Sequence, residues 1–368
     1  MDLALLAIDT GRVAIDTLWM GKPVWMWLAF LALVIAILAF DLGVLHRHNH
    51  EISVRESLLL SAFYISLGLA FGGFVWWSLG DEAGLAYVTG FVVEKTLALD
   101  NVFVIALIFS YFAIPRLYQH RVLFWGILGV LVLRAIMIGV GATLVARFEW
   151  VLLIFAAFLV FTGIRMLWSE EKPAEIGDNA LIRFMRRRLN VTDRLHDDRF
   201  FVRQPHPGTG RTALFVTPLF MALVMVEVAD IVFAVDSVPA IFAITTDPFL
   251  VYTSNIFAIL GLRALYFALA AMIHRFRYLK PALAIVLIFI GGKVFAAEFM
   301  GLEKFPALLS LAITFAIIAA GVVWSLVRSS AEDRTVLQPA TGDRSTGEHP
   351  TGIGAGDERA SDAVRPGR

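Results

Sequence analysis

The chain has 368 residues, 59% of them hydrophobic and only 17% charged, with a mean hydropathy of +0.76, more apolar surface than a soluble core can hide. Its formal net charge is zero, so the placement of charge carries the information, and no nucleic-acid partner is expected. With no cysteine, a disulfide framework, a thiolate metal site and a thiol nucleophile are excluded.

Several apolar runs reach the roughly 20 residues that cross a bilayer as helix. The expected class is an all-α polytopic membrane protein with the lipid bilayer as its partner. Residues 1–23 are a short mixed-charge segment without a basic stretch ahead of an apolar core, so no cleaved signal peptide is expected. A transmembrane domain is expected over 24–327, with about nine helices. The first covers 24–45, with tryptophans at one end and Asp41 near the other. Spans follow at 57–79, 84–113, 121–146 with Arg134, and 150–168 with Arg165. After an arginine-rich polar loop at 169–211 come 212–245, 252–273 with Arg263, 281–299 with Lys293, and 305–327. Residues 328–368, rich in Ser, Thr, Gly, Asp and Arg, read as a disordered tail.

Lys and Arg set the orientation. With the N-terminus outside, the inside loops hold 16 of them and the outside segments four, Arg12, Lys22, Arg147 and Lys304. The expectation is an inner-membrane protein with a cytoplasmic C-terminus.

The chemistry concentrates in two stretches. Glu227 to Ala243 reads EVADIVFAVDSVPAIFA, and Glu94 to Val102 reads EKTLALDNV. A carboxylate at the bilayer centre costs roughly 2.5–3.5 kcal/mol even on a lenient scale, so such residues face a cavity, a partner or an ion. Aligning Asp236-Ser237-Val238 on Asp100-Asn101-Val102 puts Asp230 on Glu94. Leu133-Arg134-Ala135 then matches Leu262-Arg263-Ala264, and Phe161 to Arg165 matches Phe289 to Lys293, at offsets of 136, 129 and 128 residues. This is an internal repeat, with repeat one at 84–168 and repeat two at 212–299. Three spans per unit make the two units inverted, a plan that recurs in secondary transporters with midplane sites.

The motif-bearing runs of 30 and 33 residues would be about 45–50 Å long, against a hydrocarbon core of about 30 Å. Pro239 follows Asp236 closely, so broken motif-bearing helices are expected. Glu227 and Asp230 share a helix face, whereas Glu94 and Asp100 do not. The acids could instead form structural ion pairs with Lys95, Arg134, Arg165, Arg263 and Lys293. A cation or proton pathway is preferred for the acids, and counter-charge or scaffolding for the bases. Asp41 stays open between pathway residue and interfacial anchor.

Oxygen donors suit hard or borderline cations such as Mg²⁺, Ca²⁺ and Mn²⁺, and the sequence alone does not separate them. Met221 and Met225, one turn apart, read as packing. His46, His48 and His50 with Glu51 read as solvated rather than metal-bound. Arg186-Arg187-Arg188, within 182–195, could lie on anionic lipid, but plain positive-inside charge is preferred. Gly68, Gly72, Gly73, Gly126 and Gly129 look like close helix packing. Nothing points to an enzyme: there is no nucleotide loop, no HExxH, and no Ser or Cys nucleophile with a base. Two aspartates on separate spans could share a proton as in an intramembrane protease, but the flanking Asn101 and Ser237 and the additional acids suit a multi-ligand cation site better.

DLGVLHR at Asp41, EKTLALDNVFV at Glu94 and EVADIVFAVDSVPAIFAIT at Glu227 resemble the TerC/Alx family of integral membrane proteins, grouped with the LysE-type exporters. The resemblance covers roughly 24–327. It implies Mn²⁺ export from the cytoplasm and an association with tellurite resistance, with no permanently bound cofactor and Mn²⁺ as the transported ion. The candidate metal-ligating residues are Glu94, Asp100 and Asn101 at the first motif, Glu227, Asp230, Asp236 and Ser237 at the second, and Asp41. Ala98 departs from the family by standing where many relatives would carry a small hydroxyl residue. Three readings stay open: a Mn²⁺ exporter exchanging protons, an exporter of a cationic organic solute, and a membrane scaffold in a stress response.

Overall fold

The computed structural model describes residues 16–43, 53–168, 180–205, 211–270, 280–301 and 305–336. Within them a short ribbon, β1 (Leu18–Trp19) with β2 (Lys22–Pro23), leads into α1 (Val24–Gly43). Then follow α2 (Val54–Leu79), α3 (Asp81–Tyr111), α4 (Arg116–Arg147), α5 (Trp150–Trp168) and the short α6 (Ala180–Arg188). An antiparallel hairpin, β3 (Phe201–Pro205) with β4 (Thr212–Val216), precedes α7 (Pro218–Phe242), α8 (Pro248–Leu260), α9 (Leu262–Ala270), α10 (Lys280–Phe299) and α11 (Ala307–Val336).

The protein is all-α and polytopic. Among the described residues six helices, α2, α4, α5, α7, α10 and α11, are long and apolar enough to cross a bilayer, and α8 with α9, bent by 41°, makes a seventh if the pair is one span. The two other expected spans are helical but differ in kind. The apolar part of α1 is short, Val24–Phe40, and α3 carries Glu94, Lys95 and Asp100 at its middle. Large apolar side chains remain exposed along the long helices, among them Leu59, Val132, Ile136, Ile154, Phe315 and Val323, as lipid-facing surfaces require.

Three expectations need correction. The run 212–245 is not one helix: Thr212–Val216 pairs with Phe201–Pro205, in register from Phe201↔Val216 to Pro205↔Thr212. The helix begins only at Pro218, whose missing N–H costs nothing in the first turn. The motif-bearing helices are unbroken. α3 runs 31 residues past both acids, and its excess length ends in the polar Asp81 and Glu82 rather than in a kink. α7 continues through Pro239, which lies in the last turn, so the lost hydrogen bond comes where the helix is about to end at Phe242. Finally, α11 extends to Val336, beyond the expected start of the tail.

The bend occurs at Gly261 instead. A Cβ there would lie 2.8 Å from Tyr64 Cβ and 2.9 Å from Lys95 Nζ, so the close approach requires glycine. Lys95 donates to the carbonyl of Ala258 at 2.9 Å, in the last turn before the bend.

Packing places α3 and α7 at the centre. α3 lies along α2, α7 and α8, and α7 along α3, α4 and α5. One core cluster gathers Trp27 and Phe30 of α1, Phe71 of α2, Tyr87 of α3, and Phe249 and Phe257 of α8, with Phe71 and Phe257 ring centroids 4.7 Å apart. A second joins Ile108, Phe109, Val122, Leu219, Met221 and Met225 to Ile182 and Met185 of α6, so the methionine pair is packing. Gly68 and Gly72 admit Phe91 and Tyr87, whereas Gly73 and its surroundings are open.

α5 and α10 make the most extensive helix contact. A Cβ on Gly163 would meet Ala284 O and Ile288 Cγ1, both at 2.7 Å; one on Gly291 would meet Ala156 O at 2.5 Å and Val160 Cγ2 at 2.9 Å. The two sets of contacts interchange on adding 128 to the residue number. Two ion pairs join segments that the charge count assigns to a common side: Lys22 with Asp247 at 2.9 Å, and Arg121 with Asp198.

Candidate functional site

The two motifs meet at mid-helix. Glu94 is thirteen residues into α3 and Asp230 twelve into α7, about 20 Å along each axis. Between them lies Arg134 of α4, 1% exposed. Its guanidinium is paired with Glu94, and its Nη1 also faces Ser237 Oγ at 2.8 Å and Asn255 Oδ1 at 3.2 Å. Its Nη2 lies 3.5 Å from Asp230 Oδ1. Asn101 Nδ2 reaches the same Asp230 oxygen at 3.4 Å, and the Ser237 hydroxyl hydrogen-bonds Glu94. Glu94 and Asp230 are therefore each touched by the small polar residue of the other motif.

Every member of this cluster is buried, and buried charge is tolerated only when paired and hydrogen-bonded. The pairing is incomplete. Among the described residues, Asp230 Oδ2, Asn255 Nδ2 and Arg134 Nε have no hydrogen-bond partner, and neither has Glu227 Oε2. Glu227 sits one turn before Asp230 on the same face of α7, with its carboxylate against Gly129 of α4, where a Cβ would clash with it. With one guanidinium against Glu94 and Asp230, and Glu227 beside them, the ionised cluster has acid in excess.

The sequence-predicted residues divide as follows. Glu94, Asn101, Asp230 and Ser237 come together on Arg134, and Glu227 adjoins them. Asp236 does not: it is half-buried beside Thr162 and Arg165 of α5. The side chains of Asp41 and Asp100 lie outside what the structure describes, as do His46, His48, His50 and Glu51. Among the described residues no three His, Cys, Asp or Glu side chains converge as a metal would need. Arg134 takes the role of counter-charge, and Lys293 donates to Ser310 Oγ at 2.9 Å, a scaffolding contact between α10 and α11.

Asn255 was not foreseen. Thr253, Ser254 and Asn255 form a buried polar triplet inside an apolar helix. The two hydroxyls return to their own helix, at Phe249 O and Leu250 O. The Asn255 amide instead crosses to α4, where its Oδ1 accepts from Arg134 Nη1 at 3.2 Å; three consecutive polar residues inside an apolar run were the signal the sequence did carry.

No solved structure matches this chain. It is 47% identical over 309 residues to STKORF319 of Myxococcus xanthus, described as an uncharacterized membrane protein, covering 84% of this chain and 94% of that one. A membrane protein of Rickettsia bellii is 44% identical over 308 residues, covering 84% and 99%. Alx of Escherichia coli K12, described as a proposed membrane-bound redox modulator, is 44% identical over 307 residues, covering 81% and 92%. The model of the TerC integral membrane proteins matches residues 79–333, which include both acidic motifs, Arg134 and Asn255. The chain belongs to the integral membrane protein TerC family.

Proposed function

We propose that the protein is a membrane transporter that exports a divalent cation, Mn²⁺, from the cytoplasm by way of the carboxylates at the α3–α7 crossing, in exchange for protons. The observation that carries this reading is the pair of buried carboxylate oxygens, Asp230 Oδ2 and Glu227 Oε2, one helical turn apart and without a partner among the described residues. Carboxylate oxygens with neighbouring amides and a hydroxyl are the donors a hard cation takes. The reciprocal contacts of Gly163 and Gly291, and of Asn101 and Ser237 with the opposite motif acid, support two inverted units about a shared centre, the arrangement that rocks to alternate access in secondary transporters. The choice of Mn²⁺ rests on the family resemblance, and the N-out, C-in orientation on the lysine and arginine count. Redox modulation is in the name of the Escherichia coli relative; a chain without cysteine has no thiol–disulfide chemistry of its own.

The test is manganese content of cells lacking their own exporter and grown in excess Mn²⁺. They would express the wild type or Glu227→Gln/Asp230→Asn at matched membrane levels. Wild type is expected to lower cell manganese and the variant not to. Purified protein in liposomes should then carry Mn²⁺ into the lumen and alkalinise it in step, as protons leave in exchange. Equal export by both proteins would remove the site from these carboxylates. Inhibition by cationic amino acids, with no Mn²⁺ flux, would replace the metal with an organic cation.

A further inference from the structure

We propose that α6 and the β3–β4 hairpin form a docking surface for anionic phospholipid headgroups in the leaflet at their end of the bundle. The proposal is independent of the transported solute.

α6 is held from one side only. Ile182 and Met185 are buried against Ile108, Phe109, Val122 and Leu219, while Arg183, Phe184, Arg186, Arg187 and Arg188 are all exposed. The Arg188 guanidinium lies 6.0 Å from the centre of the Phe184 ring, which is 58% exposed. The hairpin carries the same mixture. Its outward positions include Phe201 and, opposite one another in the register, Arg203 and Leu214. A solvated charge face has no use for Phe184, Phe201 and Leu214. Arginine interleaved with exposed aromatic and aliphatic side chains fits the boundary between headgroups and acyl chains.

Position favours lipid over a soluble acidic partner. The Phe201 and Phe220 rings are 4.7 Å apart, and Phe220 is in the first turn of the membrane-spanning α7. Thr217 Oγ1 donates to Arg199 O at 2.7 Å, Arg121 of α4 pairs with Asp198, and its guanidinium sits 5.1 Å from the centre of the Phe200 ring. Val216 N donates to Asn190 O at 2.8 Å, tying the end of α6 to the hairpin. These fastenings hold the arginines close to the headgroup layer, and phosphate attraction is strong within about 10 Å at 0.1 M salt. Guanidinium forks match phosphate oxygens.

The decisive comparison uses the full-length protein and phosphatidylglycerol, with phosphatidylcholine as the neutral control. Each arginine at an anionic surface contributes about fivefold in affinity. Arg183→Gln/Arg187→Gln/Arg188→Gln should therefore bind phosphatidylglycerol roughly a hundredfold more weakly in native mass spectrometry, with melting in phosphatidylcholine unchanged because these side chains are exposed. Since the chain has no cysteine, F184C gives a unique site for a nitroxide label. In phosphatidylglycerol vesicles the label should sit at the headgroup–acyl boundary, and in phosphatidylcholine nearer water. Equal binding by variant and wild type, or a label equally wet in both lipids, would overturn the proposal.

Discussion

Replacing Arg134 by glutamine removes the one guanidinium that Glu94 and Asp230 share. At the 3.5 Å separating Arg134 from Asp230 and an effective dielectric constant of about 20, one such pair is worth about 5 kcal/mol gross. The pair with Glu94 is closer still. Desolvation of all three groups offsets much of this, so the net cost of the substitution is set by two buried carboxylates left without a cation. That cost is about 3–5 kcal/mol. The neutral combination Glu94→Gln/Arg134→Gln/Asp230→Asn removes the charges that meet at Arg134, leaving Glu227 beside them, and should recover most of the loss. The assay is equilibrium unfolding of purified protein in mixed dodecylmaltoside and SDS micelles, followed by circular dichroism. A loss below about 1 kcal/mol for the single variant, or a triple variant no more stable than the single, would refute the account of Arg134 as the charge that holds α3, α4 and α7 together. Under the proposed function the triple variant should also be folded yet unable to export Mn²⁺, which separates assembly from transport.

The α5–α10 contact predicts a sharp positional contrast. Gly163→Ala or Gly291→Ala places a methyl within 2.7 Å of backbone oxygen on the facing helix and should cost about 1–3 kcal/mol in the same assay. Gly292→Ala, next in sequence but with nothing within 4 Å, should be neutral or stabilising; equal losses at 291 and 292 would contradict the packing. At the start of α8, Asp247 Oδ1 accepts from Phe249 N at 2.9 Å while its other oxygen pairs with Lys22. Asp247→Asn keeps the cap and should lose under about 1 kcal/mol, whereas Asp247→Ala loses the cap as well and should fall by a further ~1 kcal/mol, read as a shift in the unfolding midpoint.

How far the sequence carried depended on the range of the force involved. Apolar runs gave the helices within a few residues because the bilayer imposes a length and a composition on anything that crosses it. The acids announced a polar centre because charge is costly in that setting. The TALFV stretch misled for the same reason: apolar enough to extend a span, it reads equally well as strand, and only pairing with FVRQP decides. The expected breaks failed because Pro239 signals a missing donor without saying how near the helix end lies. The bend at Gly261 was hidden, since what requires glycine there is Tyr64 and Lys95 from α2 and α3, 197 and 166 residues upstream. Asp236 shows the limit most plainly. Its motif position matched Asp100, but which face of α7 meets α4 and which meets α5 is a matter of packing that no one-dimensional pattern contains.

The Arg134 cluster ties together four helices, α3, α4, α7 and α8, near the middle of α3 and α7. Three ionised groups removed from water cost several kcal/mol each before any attraction returns, and the attraction returns only when all partners are in place. Such a centre reaches its fullest pairing in the assembled bundle and in no partial arrangement of it. An apolar set of equal volume would hold the same helices at no greater cost, and often at less. Stability therefore does not account for acids that outnumber the base at this point. The excess is what the cation of the proposed function would neutralise, and it is located where Asp230 and Glu227 keep one oxygen each without a donor among the described residues.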